Sequence, residues 1–580
     1  MSELGGTFGA LDWAVLIGVT LAVTWLGHLL AGRATDERSF FLGNKNLPWW
    51  AVSASIIATE ISAVTFIAFP SAVWKEGGDL TYLQIVFIGS GIARLVIGFV
   101  LVPAYFEREI YSPYEYMGSW LGARARGVAT ALFSLGGVLG QAARVYLIAI
   151  VLGVLLHREL GWVEATIGVS PLVASIVAIA IVATLWTWAG GIRTVIWTDA
   201  LLFALFLSGI ILVLLHAHLG LEGGLDGALV DAHRAGKLRV LSFERTLAKP
   251  FTFWAALIAA SWGSIGFYGT DQLLAQRLFC CRDAQSARWA IVTSLAAGLV
   301  ILAVGLVGAA LWAWTEAEPL TGAALEFVRD KPDRIFPLYI LTELPAGLRG
   351  LVVAGAFAAA ISSLDSILAA LAQTSLTNVV RPLRQRLGRG ETEGDFLATT
   401  RWLILGWAVV LASVAVLMDP IEERYKSLLN LALAMASYTG GALIAGFFLS
   451  FWRIERAGSG FSWSAPLSVL AVVAVAWPAP VYGSTPVTAL GVAAGVAGFL
   501  WLGTRVRQRG LASEWRSTGA LALAIASLFA LANWAVVPLG DELRPLAWPW
   551  YVPLGSTFAF VFAICLRSRC ESSALSSPAS

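Results

Sequence analysis

Apolar stretches of about 20 residues recur along almost the whole chain, and they restrict the fold more than any other feature. Because a helix of that length crosses the hydrocarbon core of a bilayer, the pattern predicts an all-α polytopic membrane protein with about 15 spanning helices. Only 13% of the 580 residues are charged, whereas soluble domains carry about 25%. The predicted spans begin near Leu11, Leu47, Tyr82, Ala125, Pro171, Thr194, Phe251, Ala287, Ala346, Leu397, Ser427, Trp463, Pro486, Gly519 and Tyr551.

Basic residues are distributed unequally between the two sets of short loops. About 23 lysines and arginines, Arg277 among them, fall on one side and about 5 on the other. Since such residues accumulate in cytoplasmic loops, we expect a plasma (inner) membrane protein with its N-terminus outside and its C-terminus in the cytoplasm. An odd number of spans agrees with that orientation. The net charge of +2 indicates no nucleic-acid partner, so the bilayer is the expected macroscopic partner and a monomer the working state.

An acidic residue interrupts the apolar stretch "ASIIATEISAVTFIAFP", which runs from Ala54 to Pro70. Glu60 stands near its middle, and ionisable groups at such depth usually mark an ion or substrate path. The surrounding small, hydroxylated and β-branched residues predict an interrupted helix. A break frees backbone carbonyls, and those of Ala58 and Ile61 are candidates to bind a cation.

A second polar face lies in "VAGAFAAAISSLDSILAALA", where Ser362, Asp365 and Ser366 are three and four residues apart. Hydroxyl and carboxylate oxygens are ligands of hard cations. One or two carboxylates fit a monovalent cation, whereas a divalent ion would usually recruit more acidic residues. Proton coupling through Asp365 is the alternative, and serines bonding to their own helix are the purely structural one. Of the other deep charges, Asp199 suggests function, whereas Arg94 suggests an internal ion pair.

Six segments, in the same order, resemble those of the sodium/solute symporter family, and they cover roughly residues 38 to 453. They read "FFLGNKNLPWWAVSASIIATEISAVTFIAFP", "YSPYEYMGSWLG", "WAGGIRTVIWTDALLF", "GTDQLLAQRLFCCRDAQSAR", "GLRGLVVAGAFAAAISSLDS" and "YTGGALIAGFFLSFW".

The resemblance implies a LeuT-type fold of two inverted five-helix repeats, with one extra N-terminal helix and about four C-terminal helices. The expected divisions are an N-terminal helix and loop (1–46), the first repeat (47–217), an extracellular or periplasmic loop (218–250), the second repeat (251–456) and C-terminal accessory helices with a short tail (457–580).

The resemblance also implies three groups of binding residues. The family's shared sodium site corresponds to the carbonyls of Ala58, Ile61 and Ala359 and the hydroxyls of Ser362 and Ser363. A second cation site, found in some members, corresponds to Asp199, Ser362, Asp365 and Ser366, with Asp365 where those members carry serine. The substrate positions correspond to Glu60, Ser62, Thr65, Gln84, Gln141, Arg144 and Phe267.

Glu60 has three possible roles at this stage. In order of preference, it pairs with Arg144, binds a cationic nitrogen of the substrate, or accepts a proton. Arg144 itself lies about one turn beyond Gln141, where sialic-acid carriers of the family place an arginine.

The expected function is that of a sodium-coupled secondary active symporter, which imports a small organic solute by alternating access. Sodium is the coupling ion, no other cofactor is expected, and the chain is not an enzyme. The alternatives are a proton-coupled symporter of the same fold, a sensor or channel, and a membrane enzyme. The five histidines form no cluster in the sequence, and the tail after Arg567 is too short for an output domain.

Overall fold

Long apolar helices make up most of the protein, as the hydropathy pattern predicts. The structure is a computed structural model, and it describes residues 8–31, 41–61, 63–110, 112–189, 192–329, 331–388, 393–419, 428–484, 489–490, 493–494, 496, 515–539 and 541–566. Within these residues, 11 helices are long and apolar enough to cross a membrane, or up to 12 if the bent pair Trp49–Glu60 and Thr65–Trp74 counts as one span.

The helices are numbered here in chain order. The first eleven are α1 (Ala10–Ala31), α2 (Trp49–Glu60), α3 (Ala63–Trp74), α4 (Ile85–Glu107), α5 (Pro113–Leu121), α6 (Ala123–Leu155), α7 (His157–Ile167), α8 (Pro171–Ala189), α9 (Ile192–Gly220), α10 (Gly224–Arg234) and α11 (255–270). The others are α12 (Gln272–Phe279), α13 (Ala284–Ala317), α14 (Gly322–Arg329), α15 (Ile335–Thr342), α16 (Leu348–Arg386), α17 (Glu393–Val416), α18 (Leu428–Phe451), α19 (Ala457–Ala476), α20 (Ala479–Tyr482), α21 (Trp515–Trp534) and α22 (Tyr551–Cys565). Short 3₁₀ turns cover Gly43–Lys45, Pro332–Arg334 and Trp548–Trp550.

The expected number of about 15 spans exceeds the 11 or 12 that the described residues supply. The span predicted near Phe251 is α11, which alternates between π- and α-helical turns in segments of five or six residues. The span predicted near Gly519 is α21, a shorter apolar helix. The span predicted near Pro486 falls largely outside the described residues.

The chain folds into two compact units, each assembled from separated parts of the sequence. The first comprises Met1–Glu107, Gly137–Ser242 and Gln276–Met435, and the second comprises Arg108–Gly136, Phe243–Ala275 and Ala436–Ser580. The first unit therefore contains both stretches on which the predicted cation sites depend.

In the first unit, α1 is fixed to the beginning of α16 by a buried carboxylate. Asp12 accepts hydrogen bonds from the backbone N–H groups of Gly347 (2.8 Å) and Gly350 (3.1 Å). The first N–H groups of a helix have no partner within it. Because Gly347, the residue before α16, has no side chain to cap them, Asp12 supplies the cap from another helix.

A buried lysine caps the C-terminal end of α3. The ammonium of Lys237 donates to the carbonyl oxygens of Val73 (3.1 Å), Trp74 (3.0 Å) and Lys75 (2.5 Å). Arg239 in the same segment bonds to Asp79 through Nη2 (2.6 Å). A cation at a helix C-terminus satisfies unpaired carbonyls and complements the helix dipole.

The second unit has its own helical core. Leu467 and Ala471 on α19, Leu528 on α21 and Phe558 on α22 are among its buried residues. A two-stranded antiparallel hairpin, β1 (Val536–Leu539) and β2 (Glu542–Pro545), follows α21.

Candidate functional site

The predicted interruption lies between α2 and α3. The two helices are bent by 54° relative to each other, and Ile61, the residue after α2, has non-helical backbone angles (φ −75°, ψ 90°). Its N–H still donates to the carbonyl of Ile57 at 2.8 Å, so α2 ends there. The final carbonyls of a helix have no donors within it. The predicted sodium ligands Ala58 and Ile61 both lie at this end and are buried.

The other predicted ligands of the shared site lie on α16, which packs against α2 within the first unit. Ser362 and Ser363 are buried, and the backbone of Ala359 is helical one turn earlier. Ser362 Oγ donates a hydrogen bond to Asp199, whose carboxylate also accepts from Ser55 Oγ on α2 at 2.5 Å. The face of α16 that carries Ser362 therefore points toward α2 and away from lipid.

Asp199 is the centre of a buried polar cluster. The cluster comprises Ser55 on α2, Asp199 on α9, Arg277 on α12, and Ser362, Asp365 and Ser366 on α16. Each of them is at most 3% exposed. Their helices come from four distant parts of the sequence, so only the tertiary fold brings them together.

The guanidinium of Arg277 bonds to three other members of this cluster. Its Nε donates to Ser55 Oγ at 2.8 Å, and its Nη2 lies 3.1 Å from Asp199 Oδ2 and 2.5 Å from Ser366 Oγ. Ser366 Oγ in turn donates to Asp365 Oδ1 at 3.2 Å. Arg277 was counted among the basic residues of the short loops, but it lies on the helix α12 and its side chain is 1% exposed.

Ser55 and Arg277 were both missed as members of the site. A signal for Ser55 is its position three residues before Ala58, on the same face of the helix. Arg277 lies between the apolar segments "LLA" (273–275) and "LFCC" (278–281), and an arginine between apolar segments is a candidate for burial against an acid.

Glu60 forms its ion pair with Arg94 on α4, and the preferred pairing with Arg144 is wrong. The Arg94 guanidinium bonds to the Glu60 carboxylate directly and to Ser294 Oγ at 2.8 Å. Arg144 on α6 instead donates to the carbonyl oxygen of Thr59 at 3.2 Å. That carbonyl belongs to the last turn of α2, where the helix dipole is negative. The interpretation of Arg94 as an internal ion-pair partner agrees with this geometry.

These three side chains carry an excess of positive charge. Two guanidiniums, from Arg94 and Arg144, stand against one carboxylate, from Glu60, at the break of the helix. Arg144 is half-buried, and one of its hydrogen bonds goes to a backbone carbonyl. Guanidinium groups at this break are suitable donors to a carboxylate or another oxygen acceptor.

The remaining predicted substrate residues are in several different environments. Gln84 anchors the loop before α4, since Nε2 donates to Thr81 O (3.2 Å) and Oε1 accepts from Ser242 N (3.1 Å). Thr65 is buried on α3. Ser62 lies outside the described residues. Phe267 is half-buried on α11, in the second unit.

Gln141 is buried one turn before Arg144 on α6, and its Oε1 has no hydrogen-bond partner among the described residues. Leaving a buried acceptor unsatisfied costs about 1–3 kcal/mol. A ligand or water that donates a hydrogen bond at this position would remove that penalty.

The chain is similar to known sodium-coupled transporters. Sodium-coupled monocarboxylate transporter 1 of Homo sapiens is 26% identical over 457 residues, which cover 77% of this chain and 69% of the relative. The sodium/sialic acid symporter SiaT of Proteus mirabilis is 26% identical over 460 residues, which cover 78% of this chain and 86% of the relative.

Among solved structures, a Na+-coupled sialic acid symporter in a substrate-bound outward-open state matches with a TM-score of 0.70 at 20% identity. The match covers 96% of this chain and 97% of that one, so the two proteins share a LeuT-like fold. The sequence model of the family described as "Sodium:solute symporter family" matches residues 40–461. Because that match spans well over half of the sequence, the chain belongs to the sodium:solute symporter family.

Proposed function

We propose that this protein is a sodium-coupled symporter that imports a small organic carboxylate by alternating access. The observation that supports the proposal is that buried hydroxyls of α2 and α16 meet at one carboxylate, because Ser55 and Ser362 both donate to Asp199. The Ser362 hydroxyl donates its hydrogen bond to Asp199, so the lone pairs of its oxygen remain available to a cation. Together with Ser363 and the carbonyls of Ala58, Ile61 and Ala359, it forms a set of neutral oxygens that suits an alkali cation.

The bound sodium would supply positive charge that holds the end of α2 against α16. The break of the helix would leave the carbonyls of Ala58 and Ile61 available to the cation, and Asp199 orients Ser362 by accepting its hydrogen bond. One sodium ion crossing 100 mV releases about 2.3 kcal/mol, and a monocarboxylate that moves with it costs the same amount, so the sodium concentration gradient drives their joint uptake.

The carboxylate class is supported by Arg144, at the same break. Guanidinium groups bind carboxylates with paired hydrogen bonds. Gln141, one turn away, offers an acceptor to a hydroxyl or N–H of the solute. The relatives named above are a monocarboxylate transporter and a sialic acid symporter, and both names denote carboxylate solutes.

The proposal extends to architecture and orientation. The helices of 47–217 and 251–456 form two inverted repeats, preceded by α1 and followed by accessory helices. The N-terminus is outside and the C-terminus cytoplasmic, as the distribution of basic residues supports. The transporter acts as a monomer in a plasma (inner) membrane.

The test is uptake by the purified full-length chain in proteoliposomes. A panel of radiolabelled monocarboxylates and sialic acid is offered under an inward sodium gradient, a choline gradient and a pH gradient. We expect uptake of a carboxylate under sodium alone, with Ser363→Ala abolishing it. Ser413→Ala is the matched control, because that exposed hydroxyl bonds to Val409 O of its own helix. Sodium-independent uptake, or uptake driven by the pH gradient, contradicts the proposal.

Arg144→Gln tests the solute class separately. If Arg144 binds the carboxylate, its loss raises the half-saturating solute concentration at least tenfold while the sodium dependence persists. An unchanged value excludes Arg144 from the substrate site and leaves the sodium coupling intact.

A further inference from the structure

The predicted second cation position contains a positively charged group of the protein itself. Three of its four predicted ligands, Asp199, Ser362 and Ser366, bond either to the Arg277 guanidinium or to each other. Both oxygens of Asp199 are used: Oδ1 accepts from Ser362, and Oδ2 accepts from Ser55 and Arg277. A sodium ion at this position would have to compete with the arginine for Asp199 Oδ2 and Ser366 Oγ.

Arginine is well suited to hold such a position permanently. Its guanidinium keeps its charge at every physiological pH and presents donors in a rigid plane. Here Nε and Nη2 reach Ser55 on α2, Asp199 on α9 and Ser366 on α16. Removing the Arg277 guanidinium from these three partners would cost free energy, because the Asp199 carboxylate would be left buried without its ion-pair partner.

We propose that the Arg277 guanidinium fills the second cation position, that the protein therefore binds one sodium ion rather than two, and that Asp199 acts on this ion through Ser362. The inference rests on the proposed function, because it concerns the number of coupling ions. The residues at the second position thus do not fit a sodium ion, whereas those at the shared position do.

The role of Asp199 follows from the direction of its hydrogen bond with Ser362. A serine hydroxyl has one proton and two lone pairs. Because the proton is donated to Asp199, the lone pairs of Ser362 remain available to bind a cation. Asp199 is therefore a positioning residue for the shared sodium site and contributes no ligand atom. Partners that orient a metal ligand in this way typically change affinity by about 10- to 100-fold when mutated.

The number of sodium ions decides the charge that moves with each solute. One sodium with one monocarboxylate is electrically neutral, so the membrane potential contributes nothing. Two sodium ions would carry one net charge, which about 100 mV would drive by about 2.3 kcal/mol.

The experiment counts bound ²²Na⁺ on the purified full-length protein, with Na⁺ alone as the probe. The wild type is compared with Asp199→Asn, Arg277→Ala and Arg277→Lys, and each variant is first checked for a monodisperse, cooperatively melting fold. We expect one sodium per wild-type chain. Asp199→Asn should keep one sodium at about 10- to 100-fold lower affinity. Arg277→Ala should bind a second sodium, and Arg277→Lys, which retains the charge, should not.

Two sodium ions per wild-type chain, falling to one in Asp199→Asn, would overturn the inference and leave sodium coupling intact. One sodium bound by Asp199→Asn with wild-type affinity would overturn the positioning role. If the wild type binds none, the proposed function fails. Gain of a sodium by Arg277→Ala would then still support the filled position, and no gain would refute it. If the variants do not fold, the wild-type count decides.

Discussion

The buried pair of Glu60 and Arg94 makes a quantitative prediction about stability. The Arg94 side chain is 1% exposed and that of Glu60 12%, so both charges have lost most of their hydration. Removing one partner of such a pair costs about 3–5 kcal/mol, because the other charge stays buried without compensation. Glu60→Gln and Arg94→Gln should each lower the free energy of unfolding by that amount.

The double variant separates pairing from the loss of the individual side chains. Glu60→Gln/Arg94→Gln removes both charges together, so it should cost less than the sum of the two single variants, with a coupling energy of at least about 2 kcal/mol. The assay is equilibrium unfolding in mixed detergent micelles, followed by far-ultraviolet circular dichroism at constant pH and salt.

The exposed pair of Asp231 and Arg234 provides the control. Its side chains are 63% and 76% exposed, so Asp231→Asn should change the free energy of unfolding by less than about 1 kcal/mol. If Glu60→Gln costs no more than Asp231→Asn, or if the two buried variants are additive, the reasoning from burial is refuted.

Three further predictions concern packing and reactivity. Asp12→Ala should lower the unfolding free energy by about 1–3 kcal/mol, because the capped N–H groups of α16 lose their acceptor; an unchanged melting temperature contradicts this. Gly308→Ala should cost about 1–3 kcal/mol, because its Cβ would lie 2.5 Å from a carbonyl oxygen of α3; Gly127→Ala, with nothing within 4 Å of its Cβ, should have little effect. Burial raises the pKa of Cys280 to about 12, and thiolate is the reactive form. At pH 7.5 a maleimide should therefore label the exposed Cys565 and reach Cys280 only after unfolding, as mass spectrometry of the labelled peptides would show.

Much of the helical architecture could be predicted because hydrophobic length is a local property. The break near Glu60 was also predictable, since small, hydroxylated and β-branched residues accumulate before Pro70. The face carrying Ser362 followed from helical spacing alone.

The identity of the charge partners could not be predicted in the same way. Periodicity shows which face of a helix carries Glu60, but Arg94 and Arg144 both come from other helices, and only their packing decides which one reaches it. Arg277 was misassigned for a related reason: it stands close to Arg282 and Asp283, which are typical of a solvated loop, while its own side chain turns inward.

Lys237 links the C-terminal end of α3 to the segment after α10. Because the Lys237 ammonium donates to three successive carbonyls, that segment cannot shift unless α3 moves with it or all three hydrogen bonds break. A nanobody bound to the exposed polar side of α10 would therefore restrain α3 and slow turnover without binding in the transport pathway.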